Sequence, residues 1–378
     1  MISRHIKKLI DKRISDNKVI IVLGPRQAGK TTLIKNFAAH HLENFLWWNG
    51  DESDIRQMLK NPTSTMLRSM IGKHKYLIID EAQRIENIGL CIKLIYDNIE
   101  NVKVIATGSS AFELANKINE PLTGRKWEFF LYPVSFAEMA DHQGLMEENR
   151  LLHKRLIYGY YPEAITMPGD EKEVLHQLAD SYLFKDILSW ENVQKPDRLE
   201  MLLQALAFQL GNEVSYHELS KTTGLDKETV ERYINLLERA FIVYQLRSFS
   251  RNLRTELKKS RKIYFFDNGL RNSLIRNFNP PELRNDVGAL WENFLITERL
   301  KYLQHHQIFT NRYFWRTHSN QEIDYLEERD GKLFVFEFKW NTQCKAKFPK
   351  TFAANYPQSL TKLITPANFQ KFIYDPPS

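Results

Sequence analysis

The stretch GPRQAGKT, Gly24 to Thr31, restricts the fold of this chain more than any other segment. It satisfies the pattern G-x-x-x-x-G-K-[ST], and each fixed position has a physical task. Glycines let backbone N–H groups close on phosphate oxygens, the lysine neutralises β- and γ-phosphate charge, and the hydroxyl ligates magnesium. Before it, Val19 to Leu23 is too short and too β-branched for a helix and reads as a buried parallel strand. After it, TTLIKNFAAHH spaces Leu33, Ile34, Phe37 and Ala38 along one helix face. Phosphate would then meet a helix N-terminus, where free N–H groups and the macrodipole favour anions. Lys30 is the expected γ-phosphate contact and Thr31 the expected magnesium ligand.

Such a unit needs parallel neighbours, and the sequence offers them. Phe45 to Asn49 reads as a strand and Asp51 to Leu59 as a helix. Tyr76 to Ile79 is an apolar strand running into Asp80 and Glu81, which places two carboxylates at a strand's C-terminal end, where ligands gather in open α/β sheets. Asp80 is expected to orient the metal's water shell and Glu81 to polarise the attacking water. Val102 to Ala106 is a further strand ending in TGSS, Thr107 to Ser110, which can touch a γ-phosphate or cap the next helix. LTGR then ends at Arg125, ahead of the apolar run Trp127 to Leu131. That arginine can salt-bridge within the fold or face the nucleotide of a neighbouring subunit as an arginine finger.

Taken together, GPRQAGKTT, LIIDEAQ, TGSS and LTGR before FFLYPVSFAEM resemble the AAA-type ATPases of prokaryotes that carry a C-terminal DUF4143 region. The resemblance implies an α/β P-loop domain of the ASCE type, a five-stranded parallel core over residues 1–140, and ATP with Mg2+ as its ligands. No N-K-x-D motif for reading guanine is visible. The match assigns nucleotide binding to Gly24, Pro25, Arg26, Gln27, Ala28, Gly29, Lys30, Thr31 and Thr32, and magnesium to Thr31 and Asp80. It assigns catalysis to Glu81 and Lys30, joined by Ser109 and Arg125.

Residues 141–197 contain Gly, Pro and charges that read as a linker with a helical segment, Val174 to Trp190, in which Lys185 and Asp186 either sense nucleotide or lie on a solvated face. Residues 198–250 read as a winged-helix-like module: a helix, a Ser215-x-x-Glu218 start, Gly224 at the turn, a second helix from Lys227 to Arg239, and a β-wing. Lys227, Glu228, Glu231, Arg232, Asn235 and Glu238 should point outward, and three carboxylates there would repel phosphate, so protein packing competes with DNA binding. The basic run Ser248 to Lys262 is the stronger electrostatic candidate for nucleic acid, or else a solvated connection.

In residues 251–378, KIYFFD reads as a strand and Gly288 to Leu303 as an amphipathic helix carrying Glu292. Glu322 to Leu326 and Leu333 to Lys339 form a hairpin across Asp330-Gly331. Period-two alternation puts Phe334, Phe336 and Phe338 on one face and Glu337 with Lys339 on the other, with Asp324 on the partner strand. The order Glu292, Asp324, Glu337, Lys339 resembles the PD-(D/E)xK nucleases, where carboxylates hold a second divalent metal, Mg2+ or Mn2+, that activates water. The same residues also make ordinary salt bridges in a fold that binds without cutting. The DUF4143 resemblance covers about residues 180–345.

Composition sets the remaining limits. A chain of 378 residues has room for two to three domains. A net charge of +7 permits contact with DNA or another nucleic acid without demanding it. No run of about eighteen apolar residues suggests a membrane span, and Cys91 and Cys344, without a second pair or a His cluster nearby, support neither a disulfide framework nor a zinc site, which fits a cytoplasmic protein. The basic N-terminus lacks the apolar core of a secretory signal and reads as a helix leading into the first strand. The sequence is therefore read as a Mg-dependent ATPase coupled to a nuclease-like domain, forming a homo-oligomer if Arg125 acts between subunits. Two alternatives stay open, an ATP-gated metal-dependent nuclease and a slow nucleotide-controlled switch or scaffold.

Overall fold

The computed structural model describes residues 1–109, 117–190, 195–250, 261–317, 319, 321–345 and 347–375, with backbone alone over 181–190. The chain divides into two compact units, Met1–Pro133 with Arg239–Phe241, and Val134–Glu238 with Ile242–Ser378. Ser110, the side chains of Lys185 and Asp186, and most of the basic run after Ser250 lie outside the described residues.

The first unit is built on five parallel strands, β1 (Val19–Leu23), β2 (Phe45–Asn49), β3 (Tyr76–Asp80), β4 (Lys103–Gly108) and β5 (Lys126–Phe130), in the order β2-β3-β4-β1-β5. Parallel strands are covered on both faces by their crossover helices, and β1 and β4 are accordingly buried throughout. The edge strands β2 and β5 are partly exposed. The helices are α1 (Ile6–Asp11), α2 (Lys30–His41), α3 (Ser53–Met58), α4 (Ser64–Ile71) and α5 (Ile88–Asn98). Leu33, Ile34, Phe37 and Ala38 of α2 pack against Ile20, Val22 and Ile105 of the sheet together with Ile6, Leu9 and Ile10 of α1. This core fixes where α2 begins, and therefore where the loop before it sits.

In the second unit, residues 141–197, read from sequence as a linker with a helical segment, are largely helical. They belong to a run of helices, α6 (Phe136–Gln143), α7 (Leu145–Arg150), α8 (Leu152–Tyr158), α9 (Pro162–Thr166) and α10 (Glu171–Trp190). A capping box of Ser135 and Glu138 starts α6. Fully buried Glu148 accepts two hydrogen bonds from Arg155, at 2.9 and 3.0 Å, and one from the Tyr160 hydroxyl at 2.7 Å. A carboxylate so satisfied anchors packed helices, and the unit boundary falls at Pro133 instead.

The winged-helix pattern is present as α11 (Pro196–Phe208), β6 (Glu213–Val214), α12 (Tyr216–Thr223), α13 (Lys227–Arg239), β7 (Val243–Ser248) and β8 (Arg261–Phe265). Ser215 caps α12 by accepting from Glu218 N–H, and Gly224 closes it at φ +67°. After α14 (Asn268–Leu274) and α15 (Val287–His305) come β9 (Asn311–Arg316), β10 (Glu322–Arg329), β11 (Lys332–Phe338), α16 (Lys350–Asn355), β12 (Leu360–Ile364) and α17 (Gln370–Ile373). All these strands join one sheet, ordered β12-β11-β10-β9-β7-β8-β6, so the wing and the C-terminal region are continuous across residue 250. Asp330 and Gly331 take φ +50° and +71° in the β10–β11 turn, the left-handed pair that a two-residue hairpin requires.

α15 departs from the amphipathic expectation, because its polar residues are buried as well and are satisfied within the unit. Arg299 donates to both oxygens of Glu327 at 2.6 and 2.9 Å, Lys301 pairs with Glu298 at 2.6 Å, and Asn293 bonds the N–H and C=O of Phe265.

Candidate functional site

The phosphate loop is shaped by contacts its sequence makes necessary. A Cβ on Gly24 would lie 2.0 Å from the carbonyl oxygen of Leu131, so only glycine lets the loop leave β1 here. Gly29 takes φ +93° immediately before α2, and Gln27 is also left-handed at φ +58°. The Lys30 ammonium is drawn into the loop, 2.9 Å from the Gly24 carbonyl and 2.8 Å from that of Pro25. Arg26 and Gln27 are exposed at the tip, while Pro25 and Ala28 are buried. Thr31 and Thr32 occupy the first turn of α2, so the hydroxyls accompany free helical N–H groups.

At the same carboxyl edge of the sheet, Asp80 ends β3 and is 5% exposed. Its carboxylate accepts a very short hydrogen bond from the Thr107 hydroxyl, and that oxygen accepts from Glu81 N–H at 3.3 Å. Glu81 sits at φ +47°, an uncommon conformation for a residue with a side chain. Gln83 donates to the Glu81 carboxylate at 2.5 Å and to Ser109 Oγ at 2.8 Å. Asp80, Glu81 and Ser109 are thus brought together through Thr107 and Gln83. Neither connector was singled out in the sequence, although both lie inside the quoted motifs, because their role depends on which side chains meet across β3 and β4. Arg4 was missed as well. Its guanidinium bonds the carbonyls of Ala28 at 2.8 Å and Tyr132 at 2.6 Å, tying the N-terminal segment to the phosphate loop.

Arg125 does not join this cluster. Its carbonyl accepts from Val19 N–H at the start of β1, the edge opposite the loop, and its guanidinium lies 3.2 Å from Asp97. With β1 running about 17 Å between the two edges at about 3.3 Å per residue, Arg125 cannot serve the nucleotide of its own domain.

The second predicted cluster is assembled in the other unit, with additions that alter its chemistry. Lys339 Nζ lies 3.1 Å from Glu337 and 3.6 Å from Asp324, and Asp324 accepts from Phe338 N–H at 2.8 Å. Glu292 accepts from the Tyr264 hydroxyl and, at 3.2 Å, from Lys262, whose ammonium also meets Glu322. Burial pushes the Glu292 carboxyl up to about 7, with Asp324 adding repulsion and Lys262 opposing it. Burial and Asp324 do the same to Glu337, against the pull of Lys339. Burial alone would depress Lys262, yet Glu292, Glu322 and Asp324 hold it above the ordinary lysine range. Lys262 thus joins Lys339 as counter-charge to these carboxylates. Among the described residues no three His, Cys, Asp or Glu side chains are placed to hold a metal, so the second-metal expectation is not met by this donor set.

Residues 16–140 match the family model described as AAA domain, residues 149–281 that of DUF8612, and residues 287–370 that of DUF4143, the last two being domains of unknown function. The chain carries an AAA domain followed by a DUF4143 region. The DUF4143 match starts well beyond the residue 180 expected from sequence, because the helices and wing before it answer to a separate family. An uncharacterized protein of Haemophilus influenzae is 26% identical over 302 residues, covering 73% of this chain and 74% of the relative. A second uncharacterized protein, from Mycobacterium tuberculosis, is 24% identical over 329 residues, covering 85% of this chain and 70% of the relative. The fold resembles that of a Walker-type ATPase of Pyrococcus abyssi, with a TM-score of 0.51 and 14% identity over 73% of this chain and 96% of that one. The AAA-domain match marks residues 16–140 as an ATPase domain, and the solved structure shares the fold. Among the described residues no helix is long and apolar enough to cross a membrane.

Proposed function

We propose that the AAA domain hydrolyses ATP by in-line attack of water on the γ-phosphorus, and that this turnover drives work done through the second unit. The observation that carries the reading is the convergence of Lys30, Asp80, Glu81 and Ser109 at one edge of a parallel sheet. The loop N–H groups and Lys30 bind the phosphates, and the buried Asp80 with the Thr31 hydroxyl forms a donor set suited to Mg2+. Magnesium held there would neutralise charge on the phosphates. Glu81 polarises the water, and Ser109 donates toward the γ-phosphate. Arg125, whose place excludes action within its own domain, is assigned to the nucleotide of a second subunit.

The test is steady-state ATP hydrolysis with magnesium and with a chelator. Glu81→Gln is expected to lower kcat by about 100-fold or more with nucleotide affinity retained, whereas Lys30→Ala loses affinity and rate together. Equal rates for wild type and Glu81→Gln sink the mechanism.

For the second unit we favour protein over duplex DNA as the partner of α13. Its face is partly spent on its own wing. Gln245 donates to Asn235 at 3.0 Å and to Glu238 at 2.7 Å, and Glu231 lies 4.0 Å from Arg261. Lys227, Glu228 and Arg232 remain exposed, a mixed-sign face poorly suited to phosphate. Hydrolysis measured with single-stranded DNA, duplex DNA and RNA tests this assignment, and stimulation by any of them overturns it.

A further inference from the structure

Gln83 is 4% exposed on the single 3-10 turn Ala82–Arg84 that follows the Asp80-Glu81 pair. Its backbone is held there by Lys117, whose ammonium bonds the carbonyls of Gln83 at 2.6 Å and Ile85 at 3.2 Å. Both amide hydrogens are used, one on Glu81 Oε2 at 2.5 Å and one on Ser109 Oγ at 2.8 Å. A carboxylate only accepts, so this end of the amide must be the nitrogen. Ser109, accepting from Gln83, keeps its own O–H to donate. Gln83 Oε1 is buried and has no partner among the described residues, a cost of about 1–3 kcal/mol that an apolar side chain would avoid. A merely space-filling residue has no reason to carry an amide here.

We propose that Gln83 is a positioning residue for hydrolysis, tying the water-polarising carboxylate of Glu81 to Ser109, so that the hydroxyl's donation to the γ-phosphate sets the orientation of that carboxylate. The inference rests on the ATP hydrolysis reading above. It places the coupling in one side chain that contacts both groups, while Thr107 independently ties Asp80 and the Glu81 backbone to the same strand end.

The experiment compares wild type, Lys30→Ala, Glu81→Gln, Gln83→Met, Gln83→Leu, Ser109→Ala and the Gln83→Met/Ser109→Ala double variant, reading Mg-ATP hydrolysis and affinity for a non-hydrolysable ATP analogue. Gln83→Met and Gln83→Leu should each lower kcat by roughly 10- to 100-fold, with analogue affinity within about threefold of wild type. The double variant should be no more than about twofold slower than the slower single variant, because both substitutions break one linkage. Rates near wild type in both Gln83 variants, alongside a slow Glu81→Gln, overturn the role of Gln83 and leave the hydrolysis reading intact. Multiplicative losses in the double variant overturn the coupling. Loss of analogue binding in both Gln83 variants also overturns it, marking Gln83 as scaffold. A wild type no faster than Lys30→Ala overturns both the inference and the hydrolysis reading.

Discussion

Substituting Glu337 by glutamine should change the stability of the second unit in a pH-dependent way. Glu337 and Glu292 face Asp324 in a buried cluster, and each carboxyl is raised from 4.5 to about 7. A carboxyl whose folded pKa lies above its unfolded value binds its proton more tightly in the folded state. Its favourable contribution is complete below about 4.5 and is lost as pH rises toward 7. At about 1.4 kcal/mol per tenfold change in proton affinity, that displacement corresponds to about 3 kcal/mol. Because Glu292 and Glu337 feel each other, the figure belongs to the pair and is not counted twice. Glutamine imitates the protonated acid, so Glu337→Gln should remove about 1–3 kcal/mol of the stability lost between pH 5 and pH 8. The assay is denaturant-dependent hydrogen exchange of peptides covering residues 322–338, which confines the readout to β10 and β11, at pH 5, 6, 7 and 8. Wild-type protection should fall across this range after correction for intrinsic exchange, and the variant's profile should be flatter. Parallel profiles would refute the electrostatic account, as would a variant that is most stabilised at pH 5.

Further outcomes follow from the same geometry. Wild-type hydrolysis per subunit should fall on dilution while Arg125→Ala stays slow at every concentration; a wild-type rate independent of dilution down to monomer excludes action in trans. Glu327→Leu should destabilise the second unit by about 3–5 kcal/mol in urea titrations, because it leaves the buried Arg299 guanidinium without its carboxylate, and Arg299→Leu with Glu327→Leu should recover most of that loss. Digestion of plasmid and oligonucleotide with magnesium or manganese should give the same products from wild type, Glu337→Ala and Lys339→Ala; cleavage by wild type that both variants lose would show the lysine-balanced cluster to be a working nuclease site.

The two units differ in how far their sequences disclose them, and the reason is physical. In the AAA domain the central strands β1, β3 and β4 are buried on both faces and carry short apolar runs, and the functional residues sit at strand ends where backbone geometry dictates glycine, lysine and hydroxyl types. Loop, acids and a five-stranded parallel sheet could therefore be anticipated. Gln83 and Thr107 could not, since a glutamine two positions past a glutamate says nothing until β3 and β4 lie side by side. The second unit hides more because its polar residues are buried in pairs that join different elements. Glu148 with Arg155 and Tyr160 makes a folded region of what composition presents as a linker, and Arg299 with Glu327 lets α15 run through the interior despite its charges. The same effect misleads at the carboxylate cluster. Glu292, Asp324, Glu337 and Lys339 do meet, but Lys262 arrives from β8, whose register no local pattern specifies, and there it also meets Glu322 of β10. A motif can specify which residues converge without specifying what neutralises them. At the carboxylate cluster Lys262 joins the motif's own Lys339 as counter-charge, an addition that only the paired strands reveal.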